Sequence, residues 1–149
     1  MPTEEFTRSV VVARPVEEVF AHLARPESYI GLSPLIVAVR EVDVSADAVR
    51  YVAVERFRLR ALRWDNPIRV TMTFPEPGRR IVSEVWSPGR VRLESTVVLT
   101  DDSAKTRVSE TVRVTFPGIL RALVVGQATK VQGSRLAELA RRMDRAPGS

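Results

Sequence analysis

The 149-residue chain has no cysteine and one histidine, His22. The first absence excludes disulfides, zinc fingers, iron–sulfur clusters and thiol nucleophiles. The second means that a serine–histidine triad or a multi-histidine metal centre would have to rest on His22 alone. Its place on the flank of a predicted first helix marks it as a solvated surface residue. No glycine cluster cradles a phosphate: the glycines at 78, 89, 118, 126 and 133 match no nucleotide motif. No metal and no cofactor are therefore expected. No apolar run approaches the roughly 20 residues of a membrane-spanning helix. The acidic start, Met1-Pro2-Thr3-Glu4-Glu5, is unlike a secretory leader. A cytoplasmic protein of one domain, residues 1–149 with an ordered core over about 6–143, is expected.

Lysine is scarce. Only Lys105 and Lys130 are present, so the excess of 23 basic over 18 acidic residues, net +5, is carried almost wholly by arginine. The charges are spread along the chain, which favours a solvated surface over a binding footprint.

The hydrophobic pattern changes period twice. Phe6–Ala13, with Val10-Val11-Val12, reads as a strand. Pro15 suits the first position of a helix, Glu17 and Glu18 its first turn, and Val16, Val19, Phe20 and Leu23 share a face before Pro26 stops it. A second short helical turn fits around Glu27–Ile30. Six strand-like runs come next: Leu35–Val44, Val49–Leu62, Ile68–Phe74, Arg80–Trp86, Val91–Thr100 and Thr106–Phe116. Turn-rich breaks separate them, at Ser45-Ala46-Asp47, Asp65-Asn66-Pro67, Pro75-Glu76-Pro77-Gly78, Ser87-Pro88-Gly89 and Asp101-Asp102-Ser103. Breaks this short join antiparallel neighbours. Ile119–Met143 reads as one long helix that ends before Pro147-Gly148. The fold class is α+β: a seven-stranded curved antiparallel sheet wrapped around a long C-terminal helix, with one or two short helices after the first strand. A gap between sheet and helix would be a cavity.

The run Ser9-Val10-Val11-Val12-Ala13-Arg14-Pro15-Val16-Glu17-Glu18-Val19-Phe20-Ala21-His22-Leu23, continued by Ala24-Arg25-Pro26-Glu27-Ser28-Tyr29, resembles the opening of the START-like (SRPBCC) superfamily. The late strand Thr106-Arg107-Val108-Ser109-Glu110-Thr111-Val112 before Pro117 is similar to it as well. The likeness covers roughly Phe6 to Met143 and points to the polyketide cyclase/dehydrase branch. It implies the helix-grip fold and an elongated cavity for a hydrophobic or amphipathic small molecule, polyketide- or lipid-like. It also implies that the protein works as a carrier, sensor or cyclase. The aromatase/cyclase members carry a pocket arginine soon after a tryptophan; the nearest match is Trp64 and Arg69, which the predicted Asp65-Asn66-Pro67 turn separates.

Strand alternation sorts the candidates. Ala53, Glu55, Phe57, Leu59 and Ala61 share one face of their strand, opposite Arg56, Arg58 and Arg60. If the arginine row faces solvent, Glu55 points inward. Val108, Glu110, Val112, Val114 and Phe116 likewise bring Glu110 inward. Two carboxylates on an apolar face must be paired, hydrogen-bonded or protonated. Glu55 and Glu110 are candidate catalytic acid/base groups or ligand anchors, against a purely structural reading. Met72 and Phe74 are expected at the ligand, with Tyr29, Phe57 and Trp64. On the strand over 80–86 both faces are acceptable, and a covered Trp86 is preferred. On the long helix, Leu120, Val124, Gln127 and Val131 form a stripe in which Gln127 is the polar interruption; Gln127 and Val131 join the candidate ligand contacts. Gly126 and Gly133 provide either room for a ligand or close packing.

The leading expectation is a binding or carrier protein with a pocket of about 300 Å³ or more. The alternative is a cyclase/dehydrase-like enzyme, and a third reading is a basic interaction module. The arginine row suits an acidic acyl-carrier protein. Nucleic acid is disfavoured because that face lacks interleaved aromatics. A homodimer is left open.

Overall fold

The computed structural model describes residues 1–88 and 90–144. Gly89 of the expected Ser87-Pro88-Gly89 break, the side chain of Leu59 and the Pro147-Gly148 stop lie outside the described residues. The order is β1 (Thr3–Val12), α1 (Val16–Leu23), a 3-10 turn (Pro26–Tyr29), β2 (Ile36–Val44), β3 (Ala48–Leu59), β4 (Leu62–Glu76), β5 (Arg80–Ser87), β6 (Val91–Asp102), β7 (Lys105–Thr115), a second 3-10 turn (Gly118–Leu120) and α2 (Arg121–Met143).

All seven strands pair antiparallel in the order β1-β7-β6-β5-β4-β3-β2. The chain leaves β1, crosses by α1 to the opposite edge, and returns strand by strand until β7 closes against β1. Inward side chains of the central strands, among them Met72, Ile81, Leu99 and Val108, meet Val19 and Leu23 of α1 and Leu136 and Leu139 of α2 in one core. Removing these side chains from water is the main favourable term holding both helices on the sheet.

Pro15 caps α1 in extended geometry, with Glu17 and Glu18 in its first turn. The stripe expected along α2 is half-buried from Leu120 to Val131, and full burial begins at Gln132 and continues through Leu136, Leu139 and Met143. The start of the helix leaves Ile119 at 93% and Leu123 at 70% exposure. No described helix is long and apolar enough to cross a membrane.

One boundary differs from expectation. Asp65-Asn66-Pro67 is not a turn: β3 stops at Leu59, the chain reverses at Arg60-Ala61, and β4 starts at Leu62. Arg60 takes the left-handed conformation (φ 56°), so it belongs to the turn and not to the strand row of Arg56 and Arg58. Pro67 pairs with Val54, while β5 joins β4 only at Arg69. A residue without an N–H is tolerated on such a half-paired stretch, so the proline is no turn signal here. Alternation along the continuous β4 puts Trp64 and Arg69 on opposite faces, so the two are kept apart by strand geometry and not, as expected, by a turn.

An added Cβ at Gly133 would stand 2.5 Å from the guanidinium tip of the exposed Arg8 side chain, which can swing aside, and one at Gly126 would meet open space, so packing demands neither glycine. Met72, expected at the ligand, is fully buried in the sheet core. Met72→Ala should therefore destabilise the fold by about 2–5 kcal/mol, read from urea unfolding, and leave ligand affinity unchanged in the folded fraction.

Candidate functional site

Between the inner face of the sheet and the two helices lies a cavity of about 140 Å³. It is smaller than the expected pocket. Its walls are apolar, with Ile36, Ile68, Val97, Leu136 and Leu139 among them, and Val131 also lines it. The polar lining is concentrated in Ser33, Tyr51, Glu55, Ser95, Glu110 and Arg135, with Tyr29 beside them.

Glu110 lies on β7 at 3% exposure. Both carboxylate oxygens are engaged: Arg135 donates to Oε1 at 2.5 Å and the Ser95 hydroxyl to Oε2 at 2.6 Å. Its backbone carbonyl accepts from the Gln132 amide at 3.1 Å, so α2 grips this residue twice. Arg135 also reaches the Ser33 hydroxyl at 3.4 Å. Burial works to lower the Arg135 pKa, but the charge and hydrogen bond of Glu110 outweigh it, and the guanidinium titrates above its ordinary range. Helical spacing explains the position: Val131, Arg135 and Leu139 succeed one another at i, i+4 on the cavity face. Arg135 was missing from the sequence-based set. The available signal was one arginine between two members of an apolar stripe, facing a strand with an inward glutamate.

Glu55 is bound more loosely. Its one side-chain partner among the described residues is Asn66, which donates at 3.3 Å and also reaches the Ser87 hydroxyl at 3.4 Å. Burial raises the Glu55 pKa above the ordinary glutamate value, and the Asn66 bond only partly opposes it. The straight β4 creates this contact by setting Asn66 directly opposite Glu55. Tyr29 and Tyr51 stack with centroids 6.5 Å apart, and the Tyr29 hydroxyl donates to the Leu23 carbonyl at 2.7 Å. Burial pushes both phenols well above their usual range.

The remaining expected contacts lie off the cavity. Phe57 and Trp64 stack on each other at 5.6 Å, past Glu55 along the β3–β4 hairpin, with Trp64 48% exposed. Phe74 packs edge-on against Phe20 of α1. Trp86 lies on the outer face, 38% exposed beneath the Arg92 guanidinium; the inward set of β5 is Ile81, Ser83 and Val85. Gln127 is only half-buried and does not line the cavity, and the polar group that α2 does bury is Gln132. His22 is half-buried, against the surface position expected, because Arg142 contacts its Nε2 at 3.1 Å while bonding the carbonyls of Ser28 and Ile30. Burial and then Arg142 lower its pKa. Among the described residues no cluster of three or more metal-ligating side chains occurs.

A seven-stranded antiparallel sheet gripping a C-terminal helix across an internal cavity defines a helix-grip protein of the START-like superfamily. The comparisons with known proteins narrow the class. The chain belongs to the family described as polyketide cyclase / dehydrase and lipid transport, whose model matches residues 3–145. No curated protein matches it. The structure is similar to the Zhui aromatase/cyclase from Streptomyces sp. R1128, with 17% identity, 99% of each chain covered and a TM-score of 0.74. It is similar to one half of the di-domain aromatase/cyclase BexL from the BE-7585A biosynthetic pathway, with 14% identity and a TM-score of 0.77. That match covers 97% of this chain, which spans about half (51%) of BexL. A START superfamily protein from Mycobacterium smegmatis matches at 12% identity over 93% of this chain and 97% of its own, with a TM-score of 0.68.

Two measurements check this site. Arg135→Met leaves Glu110 buried without its cation and should cost about 3–5 kcal/mol in urea unfolding, whereas Glu110→Leu/Arg135→Met should recover most of that loss. Glu55 holds its proton more tightly folded than unfolded. The contribution of Glu55 to stability should thus be full below the ordinary glutamate range, fall as pH rises through it, and level off above the raised folded value. In thermal unfolding between pH 4 and 8, the stability of the native chain relative to Glu55→Gln should fall as pH rises; a pH-independent difference would contradict the raised pKa.

Proposed function

We propose that the protein binds a compact, mainly apolar molecule bearing one oxygen function, and acts as its carrier. The carrying observation is the Glu110–Arg135 pair set in the wall of an otherwise apolar cavity. A guanidinium has five N–H donors. Glu110 and Ser33 hold its fork in place, and the remaining donors suit a phenol, ketone or carboxylate oxygen. Size supplies the second constraint. A cavity of about 140 Å³ is close to the roughly 150 Å³ that holds benzene in an engineered apolar core. The cavity thus takes one six-membered ring, or the ring-sized end of a longer polyketide- or lipid-like molecule. Membership of a polyketide cyclase/dehydrase and lipid transport family supports this ligand class.

A second reading rests on Glu55. Its carboxyl is half-buried, its pKa is raised, and it shares the cavity with Arg135. In a cyclase or dehydrase, Glu55 would take the proton next to a carbonyl while Arg135 stabilises the enolate oxygen. Glu110, with both oxygens engaged, would orient Arg135 and leave proton transfer to Glu55. The aromatase/cyclase neighbours support this reading.

Calorimetric titration with phenol, benzoate and cyclohexanone tests the first reading. Val131→Trp, which fills the cavity, should abolish binding. Arg135→Lys, which keeps the charge but loses the fork, should weaken it at least tenfold. Binding that Val131→Trp leaves intact would place the ligand elsewhere. For the second reading, NMR should show faster deuterium exchange at the α-carbon of bound cyclohexanone with the native protein than with Glu55→Gln; equal rates exclude Glu55 as the base.

A further inference from the structure

The β3–β4 hairpin extends past both of its neighbours. The pairing of β2 with β3 ends at Glu55, and that of β5 with β4 starts at Arg69. The Arg56 N–H still bonds the Leu35 carbonyl at 2.8 Å, so from Phe57 to Pro67 the hairpin is a ribbon of two strands only. Its two faces differ. On one, Phe57 and Trp64 stack, and alternation places Leu62 beside them; Leu62 is 68% and Trp64 48% exposed. On the other, Arg58 stands directly across from Arg63, and the exposed Arg60 occupies the turn.

Like charges directly opposite on a sheet repel, and a two-stranded ribbon has little stability of its own. The acid on the ribbon is Asp65, and both of its oxygens bond Arg56, at 2.9 and 3.2 Å. Arg63 adds to the field on Asp65, but among the described residues Arg58, Arg60 and Arg63 form no ion pair. Charges at an edge protect it from chance strand pairing. That role accounts neither for two arginines set face to face nor for the large apolar side chains left in water beside them.

We propose that this ribbon docks the protein on an anionic lipid bilayer. A membrane surface is anionic at the phosphates and apolar a few ångströms deeper, so it satisfies both faces at once. Trp64 and Leu62 enter the boundary of the acyl chains, where tryptophan is favoured. Arg58, Arg60 and Arg63 take the lipid phosphates in bidentate fashion, which removes the repulsion across the strands. An acidic protein surface would satisfy the arginines and leave the apolar face in water. Single-stranded nucleic acid needs open aromatic faces for stacking, and Phe57 covers one face of Trp64. The inference is independent of which ligand the cavity holds.

Co-sedimentation with vesicles tests it, using phosphatidylcholine alone and phosphatidylcholine with about 30 mol% phosphatidylglycerol, at low and at physiological ionic strength. The protein should bind the anionic vesicles and not the neutral ones. Arg58→Glu/Arg63→Glu should lower the partition constant at least tenfold, at roughly fivefold or more per arginine. Arg79→Glu/Arg107→Glu, with the same change in net charge on residues paired to Asp101 and Asp102, should bind as the native chain does. In a Trp86→Phe background, which leaves Trp64 as the sole tryptophan, emission should shift to the blue on binding. All these positions are exposed, and circular dichroism checks that each variant is folded. Absence of vesicle binding at low ionic strength overturns the proposal. So does equal loss in the control variant, or an unshifted Trp64 emission. Binding to an acidic acyl-carrier protein without binding to vesicles overturns it in favour of a protein partner.

Discussion

A buried carboxylate cannot be left alone, and the Glu110–Arg135 pair is built around that constraint. Ionic glutamate in a nearly dry interior needs a cation and further hydrogen bonds. Arg135 and Ser95 supply them at the two carboxylate oxygens, while Gln132 holds the backbone carbonyl of the same residue, so α2 reaches Glu110 through both Arg135 and Gln132. The same interaction fixes the rotation of the helix on the sheet, places a guanidinium in the cavity and keeps that end of the cavity from filling with hydrocarbon. A hydrophobic pair of equal volume could hold the helix as firmly, but it would present no donor to a ligand.

The second constraint is geometric. β4 starts at Leu62, well before the Ile68 that the composition of Asp65-Asn66-Pro67 suggests, and that extension sets three features together. It brings Asn66 against Glu55, leaves the Glu55 carboxyl desolvated with one amide partner, and carries Phe57 and Trp64 out on a ribbon beyond the neighbouring strands. The cavity polarity and the basic, aromatic projection thus share one cause, the register of a single hairpin.

Most of the architecture was legible in the sequence because the strands alternate and their breaks are short. The inward orientation of Glu55 and Glu110 came from the same alternation, since the opposite faces carry arginines. Other features were not legible. Asp65-Asn66-Pro67 has turn composition, but β4 has no β5 partner along that stretch, so the proline breaks nothing. Trp86 was expected under cover because it is large and apolar, yet on its own strand the faces were balanced, and Arg92 stacking satisfies it outside. Arg135 was passed over because a charged residue on a long helix reads as solvent-facing, and only the facing strand shows that its partner is buried. Gln127 lost its expected place to Gln132 for a similar reason: α2 reaches full burial only in its second half.

Side-chain proton–nitrogen NMR of the arginines tests the central claim most directly. The Arg135 Nε–H should give a resolved signal protected from exchange with water in the free protein. It should shift on titration with phenol, while the arginines of the sheet exterior stay where they are. An Arg135 signal that exchanges as fast as those exterior arginines, or that phenol does not move, would contradict a guanidinium held in the cavity wall for a ligand.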